Sequence, residues 1–241
     1  MRYTADFHYF DNIDTPEKAY WLGFIWADGY IAKRNRQYSE NSNGVEYNLK
    51  LAIKDIDAGH IQKFLDSIDS NYPVHLYKTT GFDRSQPAME ARAFITNKYM
   101  CSLLYESYGI IPRRSDPSKI IDNLPKHLER YFIIGTFDAD GSFTAYQGDY
   151  GEKLNVTFGG SVELLRFIES HLENNHIIQR AETPSGQRRV AIRHKGKDGT
   201  WRSLRFAGKP QGMKILRYLY DDSPIYLERK YQKYLSIPYH Q

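Results

Sequence analysis

Two periodicities run along the chain. Strand-like runs, with apolar and polar side chains interleaved as in a half-buried strand, fall near Tyr30–Arg36, Tyr47–Ile53, Val74–Lys78 and Arg92–Thr96. Similar runs fall near Phe143–Gln147, Leu154–Phe158, Arg188–His194 and Arg202–Ala207. Helical spacing of apolar residues predicts amphipathic helices from Ala58 to Ile68 and from Val162 to Asn174. Two other helical stretches, stopping at Gly29 and Gly141, are apolar nearly all round, as buried helices are. The first has a start signal in Thr15-Pro16-Glu17: an N-cap residue, proline at the first helical position and an acid in the first turn.

The pattern is written twice. YWLGFIWADGY (Tyr20 to Tyr30) and YFIIGTFDADGSF (Tyr131 to Phe143) share apolar residues, a glycine, then Ala-Asp-Gly and an aromatic, so Asp28 and Asp140 stand 112 residues apart. A second landmark agrees. The strand-like RAFITN runs into Lys98 and a helix, SLRFAG runs into Lys209 and a helix, and the two lysines are 111 apart. Two landmarks at nearly one offset argue for duplication. Each half reads as helix, two strands, helix, two strands and further helix, which predicts an α+β fold of two αββαββα repeats with mostly antiparallel sheets. The repeats are expected at 1–118 and 119–241, joined by the proline-bearing stretch Pro112–Pro125.

Composition removes several classes. No apolar run approaches the roughly 20 residues of a membrane helix, and the N-terminus lacks the apolar stretch of a secretory signal. The expectation is a protein of the cytoplasm, at the nucleoid, or of an organelle, and not a secreted one. Cys101 is the only cysteine, so neither an intrachain disulfide nor a thiolate zinc cluster can form. The net charge of +4 lies entirely in the second half: residues 1–121 carry 15 basic and 15 acidic side chains, residues 122–241 carry 18 and 14. Between Arg180 and Arg217 eleven basic residues face Glu182 and Asp198 alone, which suits either a solvated face or a polyanion site.

The aspartates at the helix ends carry the chemistry. A carboxylate in the last turn faces the negative end of the helix dipole, at a cost of roughly 0.3–1 kcal/mol. Two at matched positions call for compensation. Both helices have small residues four apart, Gly23 and Ala27, then Gly135 and Ala139. Such spacing lets two backbones approach, and pseudo-twofold packing of the copies would bring Asp28 toward Asp140. Two carboxylates with helix-end carbonyls make an oxygen-lined negative site of the kind Mg²⁺ or Mn²⁺ prefers. Gly29 and Gly141 can close their helices in the left-handed conformation.

At this point the chain resembles the LAGLIDADG homing endonucleases. Trp21-Leu22-Gly23-Phe24-Ile25-Trp26-Ala27-Asp28-Gly29 aligns with Ile133-Ile134-Gly135-Thr136-Phe137-Asp138-Ala139-Asp140-Gly141, and the resemblance covers nearly the whole length, including the terminal IYLERKYQKYL. It implies a monomeric, two-repeat enzyme whose motif helices form a central interface beneath two sheets that make a saddle over double-stranded DNA. It also implies catalytic metal ligands at Asp28 and Asp140, backbone carbonyl ligands at Ala27 and Ala139, and peripheral active-site lysines at Lys98 and Lys209. Mg²⁺ is the expected ion, with Mn²⁺ substituting and Ca²⁺ binding without supporting cleavage. The motif's sixth position departs, with Trp26 in one copy and Asp138 in the other, and Asp138 is read as non-catalytic.

Strand residues opposite the apolar face are the DNA-contact candidates: Asn48 and Lys50 against Leu49 and Leu51, Arg189 and Arg193 around Val190 and Ile192, Ser203 and Arg205 beside Leu204 and Phe206. Arg34, Arg36 and Lys54 are added from the first half. A protein that keeps the scaffold without cutting, or with a dual role, such as an intron RNA splicing maturase or a DNA-binding regulator, stays open as the alternative. Retention of both aspartates favours the nuclease.

Overall fold

The protein is described by a computed structural model over residues 3–39, 42–80, 87–112, 116–148, 151–178, 193–194 and 202–238. The elements follow in the order α1 (Pro16–Asp28), β1 (Gly29–Ser39), β2 (Ser42–Lys54), α2 (Ala58–Ser67), β3 (His75–Thr80), β4 (Pro87–Thr96) and α3 (Lys98–Glu106). A short α4 (Ser118–Ile121) leads into α5 (Glu129–Asp140), β5 (Ser142–Gly148), β6 (Gly151–Gly160), α6 (Val162–Asn174), β7 (Arg193–His194), β8 (Arg202–Ala207), α7 (Lys209–Tyr220) and α8 (Glu228–Leu235). Among the described residues no helix is long and apolar enough to cross a membrane.

The chain forms two compact units, Met1–Asp14 with Asp28–Arg114, and Thr15–Ala27 with Ser115–Gln241. Repeat and packing boundaries therefore differ, because the first repeat's motif helix belongs with the second unit.

In the first unit an antiparallel sheet has the order β1-β2-β4-β3. Alternation decides its faces: the rows Ile31–Leu49–Ile95 and Leu51–Ala93 are buried, whereas Tyr30 and Phe94 of the row between them stay exposed. The helices α2 and α3 contribute Ile61, Phe64, Leu65, Met100 and Leu104 to the same core. Asn97 caps α3 by accepting a hydrogen bond from the Met100 N–H at 2.8 Å.

The second unit repeats the topology as β5-β6-β8-β7. Val156, Phe158, Leu204 and Phe206 point inward, against α6 and α7. Of the strand expected at Arg188–His194, Arg193–His194 is present as β7 and the remainder lies outside the described residues.

The start signal at Thr15 holds, with its hydroxyl accepting from the Lys18 N–H at 3.2 Å. The glycine closures do not. Gly141 has φ −83° and ψ 168°, an extended backbone, and Gly29 is likewise outside the left-handed region. Glycine at 141 answers to space instead: a Cβ there would lie 2.2 Å from a Phe137 ring carbon and 2.6 Å from the Phe137 carbonyl oxygen.

Candidate active site and nucleic-acid interface

The helices α1 and α5 touch backbone to backbone within the second unit. A Cβ on Gly23 would sit 2.2 Å from the Phe132 carbonyl oxygen, and one on Gly135 would sit 2.1 Å from that of Tyr20. Gly23 and Gly135 are equivalents under the 112-residue offset, as are Tyr20 and Phe132, so each glycine receives the other helix at the same place. Leu22, Ile25, Ile133 and Ile134 are all fully buried, which explains why both helices read as apolar all round.

Each helix then ends on its aspartate. Asp28 and Asp140 are half-buried, as are Ala27 and Ala139, and neither helix has a basic residue in its last turn. Among the described residues no group of three or more His, Cys, Asp or Glu side chains could hold a metal. The donors that each helix end offers are its carboxylate and its last-turn carbonyls, all hard oxygens.

Asp138, expected from the motif to be non-catalytic, is held in the interior. Its carboxylate is fully buried and accepts from the Tyr20 hydroxyl (2.8 Å), the Tyr220 hydroxyl (2.7 Å) and the Leu227 N–H (2.7 Å). Burial pushes its pKa up, while the Lys230 ammonium and these three donors pull the other way. Asparagine here would turn one acceptor oxygen into a donor facing donors. Asp138→Asn should thus destabilise the protein by roughly 3 kcal/mol, measured as a lowered urea midpoint with the slope unchanged.

Lys230, on α8, has no place among the residues that the sequence singles out. Its ammonium is buried at the end of α5 and donates to the carbonyls of Phe137 (2.6 Å), Asp138 (2.7 Å) and Gly141 (2.7 Å). None of these three bonds goes to the Ala139 carbonyl. A cation on orphan helix-end carbonyls offsets the dipole that Asp140 opposes, so the compensation demanded by the second aspartate is partly supplied by the chain itself. One sequence signal does point to it: Lys119 on α4 precedes Lys230 by 111 residues, the offset of the duplication. Lys230→Met should cost on the order of 3 kcal/mol, a fall in Tm of roughly 6–12 °C in a thermal scan.

Lys98 and Lys209 do stand where strand gives way to helix, at the first residues of α3 and α7. Register carries them away from the aspartates of their own units. Asp140 precedes Ser142, whose row holds Thr157 and Arg205, whereas Lys209 is ion-paired with Glu152, opposite Gln147. The five residue steps along β5 from Ser142 to Gln147 span roughly 17 Å, beyond the reach of a lysine side chain. Lys98 lies four residues beyond Phe94, in the equivalent position.

The contact candidates of the first unit gather on one face. By strand parity Arg34, Arg36, Asn48, Lys50 and Lys54 share the outward side with Tyr30, Arg92, Phe94 and Thr96, which strand alternation also marks. Arg36 pairs with Glu46 at 2.6 Å, Glu46 accepts from the Asn48 amide at 2.6 Å, and the Thr96 hydroxyl donates to the Asn48 oxygen. In the second unit Ser203 and Arg205 are outward with Ser142 and Thr157. The Arg193 backbone pairs with Ser203, and Arg189 lies outside the described residues.

No protein-family model and no curated protein matches the chain. Solved structures do. The chain is similar to the LAGLIDADG homing endonuclease I-GzeII in complex with its DNA target, at 10% identity and TM-score 0.56 over 92% of this chain and 87% of that one. It is similar to the meganuclease I-SmaMI bound to uncleaveable DNA, at 13% identity and TM-score 0.58 over 92% and 87%. I-LtrWI bound to target DNA gives 12% identity and TM-score 0.53 over 92% and 88%. The two antiparallel sheets and their helices are thus the LAGLIDADG fold.

Proposed function

We propose that this chain, which has the fold of the LAGLIDADG homing endonucleases, is a monomeric endonuclease that makes double-strand breaks at a long, specific DNA site. The observation that carries the reading is the pair of equivalent helices, packed through Gly23 and Gly135, each ending in a half-buried carboxylate. Helices that serve packing alone have no use for an acid at that end. Asp28 and Asp140, with the carbonyls of Ala27 and Ala139, would hold divalent ions, Mg²⁺ with Mn²⁺ substituting and Ca²⁺ leaving the DNA uncut. When bound, such an ion supplies polarisation of the scissile phosphate and an attacking water of lowered pKa.

The chain's own residues do the rest. The outward sheet faces bind the duplex, with Arg34, Arg36, Lys54 and Arg205 bringing positive charge to phosphates and base edges. Lys230 keeps the end of α5 in one geometry, so that Asp140 and the Ala139 carbonyl are presented together. Its ammonium bonds that helix end directly, a positioning part distinct from the one expected of Lys209.

The test is a cleavage selection on a randomised plasmid library with Mg²⁺ present or chelated. Metal-dependent linearisation converging on one long sequence is the expected result. Tight RNA binding with no duplex cut in any condition would overturn the reading.

A further inference from the structure

The 112-residue duplication lets the outward faces of the two sheets be compared row by row. Beside the motif helix the first unit presents Tyr30–Lys50–Phe94 and the second presents Ser142–Thr157–Arg205. One row further from the helix come Ala32–Asn48–Thr96 and Thr144–Asn155–Ala207. The outer rows share an asparagine on the second strand. The inner rows share nothing.

We infer that these two rows set part of the target sequence: adenine at the outer step of both half-sites, but thymine in one half-site and guanine in the other at the inner step. The inference rests on the DNA-binding reading above, each unit's sheet facing one half-site.

The outer step follows from the Asn48 amide. Glu46 can only accept, so the amide nitrogen must face it, and the amide oxygen takes the Thr96 hydroxyl. One N–H and one lone pair remain, in the fixed order that adenine's N7 and N6 require of a bidentate partner. Asn155 is half-buried on the same outward side of β6.

The inner step follows from what surrounds the donors. Tyr30 is 46% and Phe94 37% exposed, large apolar surface on a face that is otherwise polar. Phe94 is held edge-on to Tyr77, with ring centroids 6.1 Å apart, and the Arg92 guanidinium lies 4.6 Å over Tyr77. A lysine donor between two aromatic side chains matches thymine, whose O4 acceptor stands beside its 5-methyl group; guanine has acceptors there and no methyl. Arg205, exposed in Phe94's equivalent position between small neighbours, presents the fork that takes guanine N7 and O6.

The test is enrichment of a randomised duplex library on the full chain in Ca²⁺, followed by sequencing, so that binding is read without cutting. Wild type should enrich adenine at the paired outer steps and a thymine/guanine difference at the inner ones. Arg205→Leu should lower the guanine preference about 10-fold or more and leave the other half-site alone. Phe94→Arg should replace thymine by guanine and make the inner steps alike. Both side chains are exposed, and matching Tm values would confirm folding. A wild-type consensus without this difference, or one that neither variant moves, overturns the inference while leaving DNA binding intact. Enrichment of no duplex by wild type overturns the DNA reading together with it.

Discussion

Alanine at position 135 is expected to cost the second unit roughly 3 kcal/mol or more, although it adds one methyl group and improves helix propensity. The added carbon would lie 2.1 Å from the Tyr20 carbonyl oxygen and 2.8 Å from the Phe24 nitrogen. Both are backbone atoms of α1, so no side chain can rotate away and the helices must part. Parting them loosens fully buried Tyr20, Trp21, Phe24, Phe132 and Phe137 together, and it strains the Tyr20 bond to Asp138. Gly23→Ala should behave alike, since its Cβ meets the Phe132 carbonyl at 2.2 Å. The double variant should fall short of the sum, because helices already separated by one methyl accommodate the second. Gly59→Ala is the control: it lies in α2 with nothing within 4 Å of an added Cβ, and should stabilise by roughly 0.5–1 kcal/mol. Urea titrations of the three variants read these differences. Gly135→Ala and Gly59→Ala shifting the midpoint in one direction would refute the backbone contact.

Most of the architecture is legible in the amino-acid order because the duplication supplies two copies of each signal. Alternation locates seven strands within a few residues, and Thr15 marks the helix that begins at Pro16. What alternation does not show is which helix packs with which unit. That α1 joins the second unit follows from a contact at Gly23 and Gly135, and a glycine in sequence does not say whether it serves a turn or a close approach. For the same reason Gly141 reads as a bend in the backbone, when it is kept small by the Phe137 ring and carbonyl.

The site is legible where chemistry is local and obscure where it is not. Asp28 and Asp140 stand out because acids at helix C-termini are unfavourable, and Asp138 can be set aside because its counterpart is Trp26. Lys230 arrives from 92 residues beyond Asp138 to bind that residue's carbonyl, and a lysine in the polar sequence ERKYQKYL looks like any surface lysine. Lys98 and Lys209 share the right spacing, yet equal spacing shows only that two residues are equivalent. It carries no information on distance from the aspartate of the same unit, which the strand register determines.

Asp28→Asn and Asp140→Asn should each lower the double-strand cleavage rate by at least about 10³-fold at saturating Mg²⁺, of the order seen when one preorganised electrostatic partner of a transition state is removed. Asparagine keeps the shape and one acceptor oxygen but brings no charge, so the loss tests the charge. DNA affinity in Ca²⁺ should change little, because the sheet faces proposed to grip the duplex are untouched. Stability should move in the opposite direction to activity. Without divalent ion, each substitution removes a carboxylate from the negative end of a helix and should gain roughly 0.3–1 kcal/mol, a rise in Tm of about 1–4 °C. At Asp140 the gain should sit at the low end, since Lys230 already offsets the α5 dipole. Added Mg²⁺ should raise the Tm of wild type above that of either variant, reversing the order. A purely packing role for the aspartates predicts no such reversal, and equal cleavage by wild type and both variants would remove them from the chemistry.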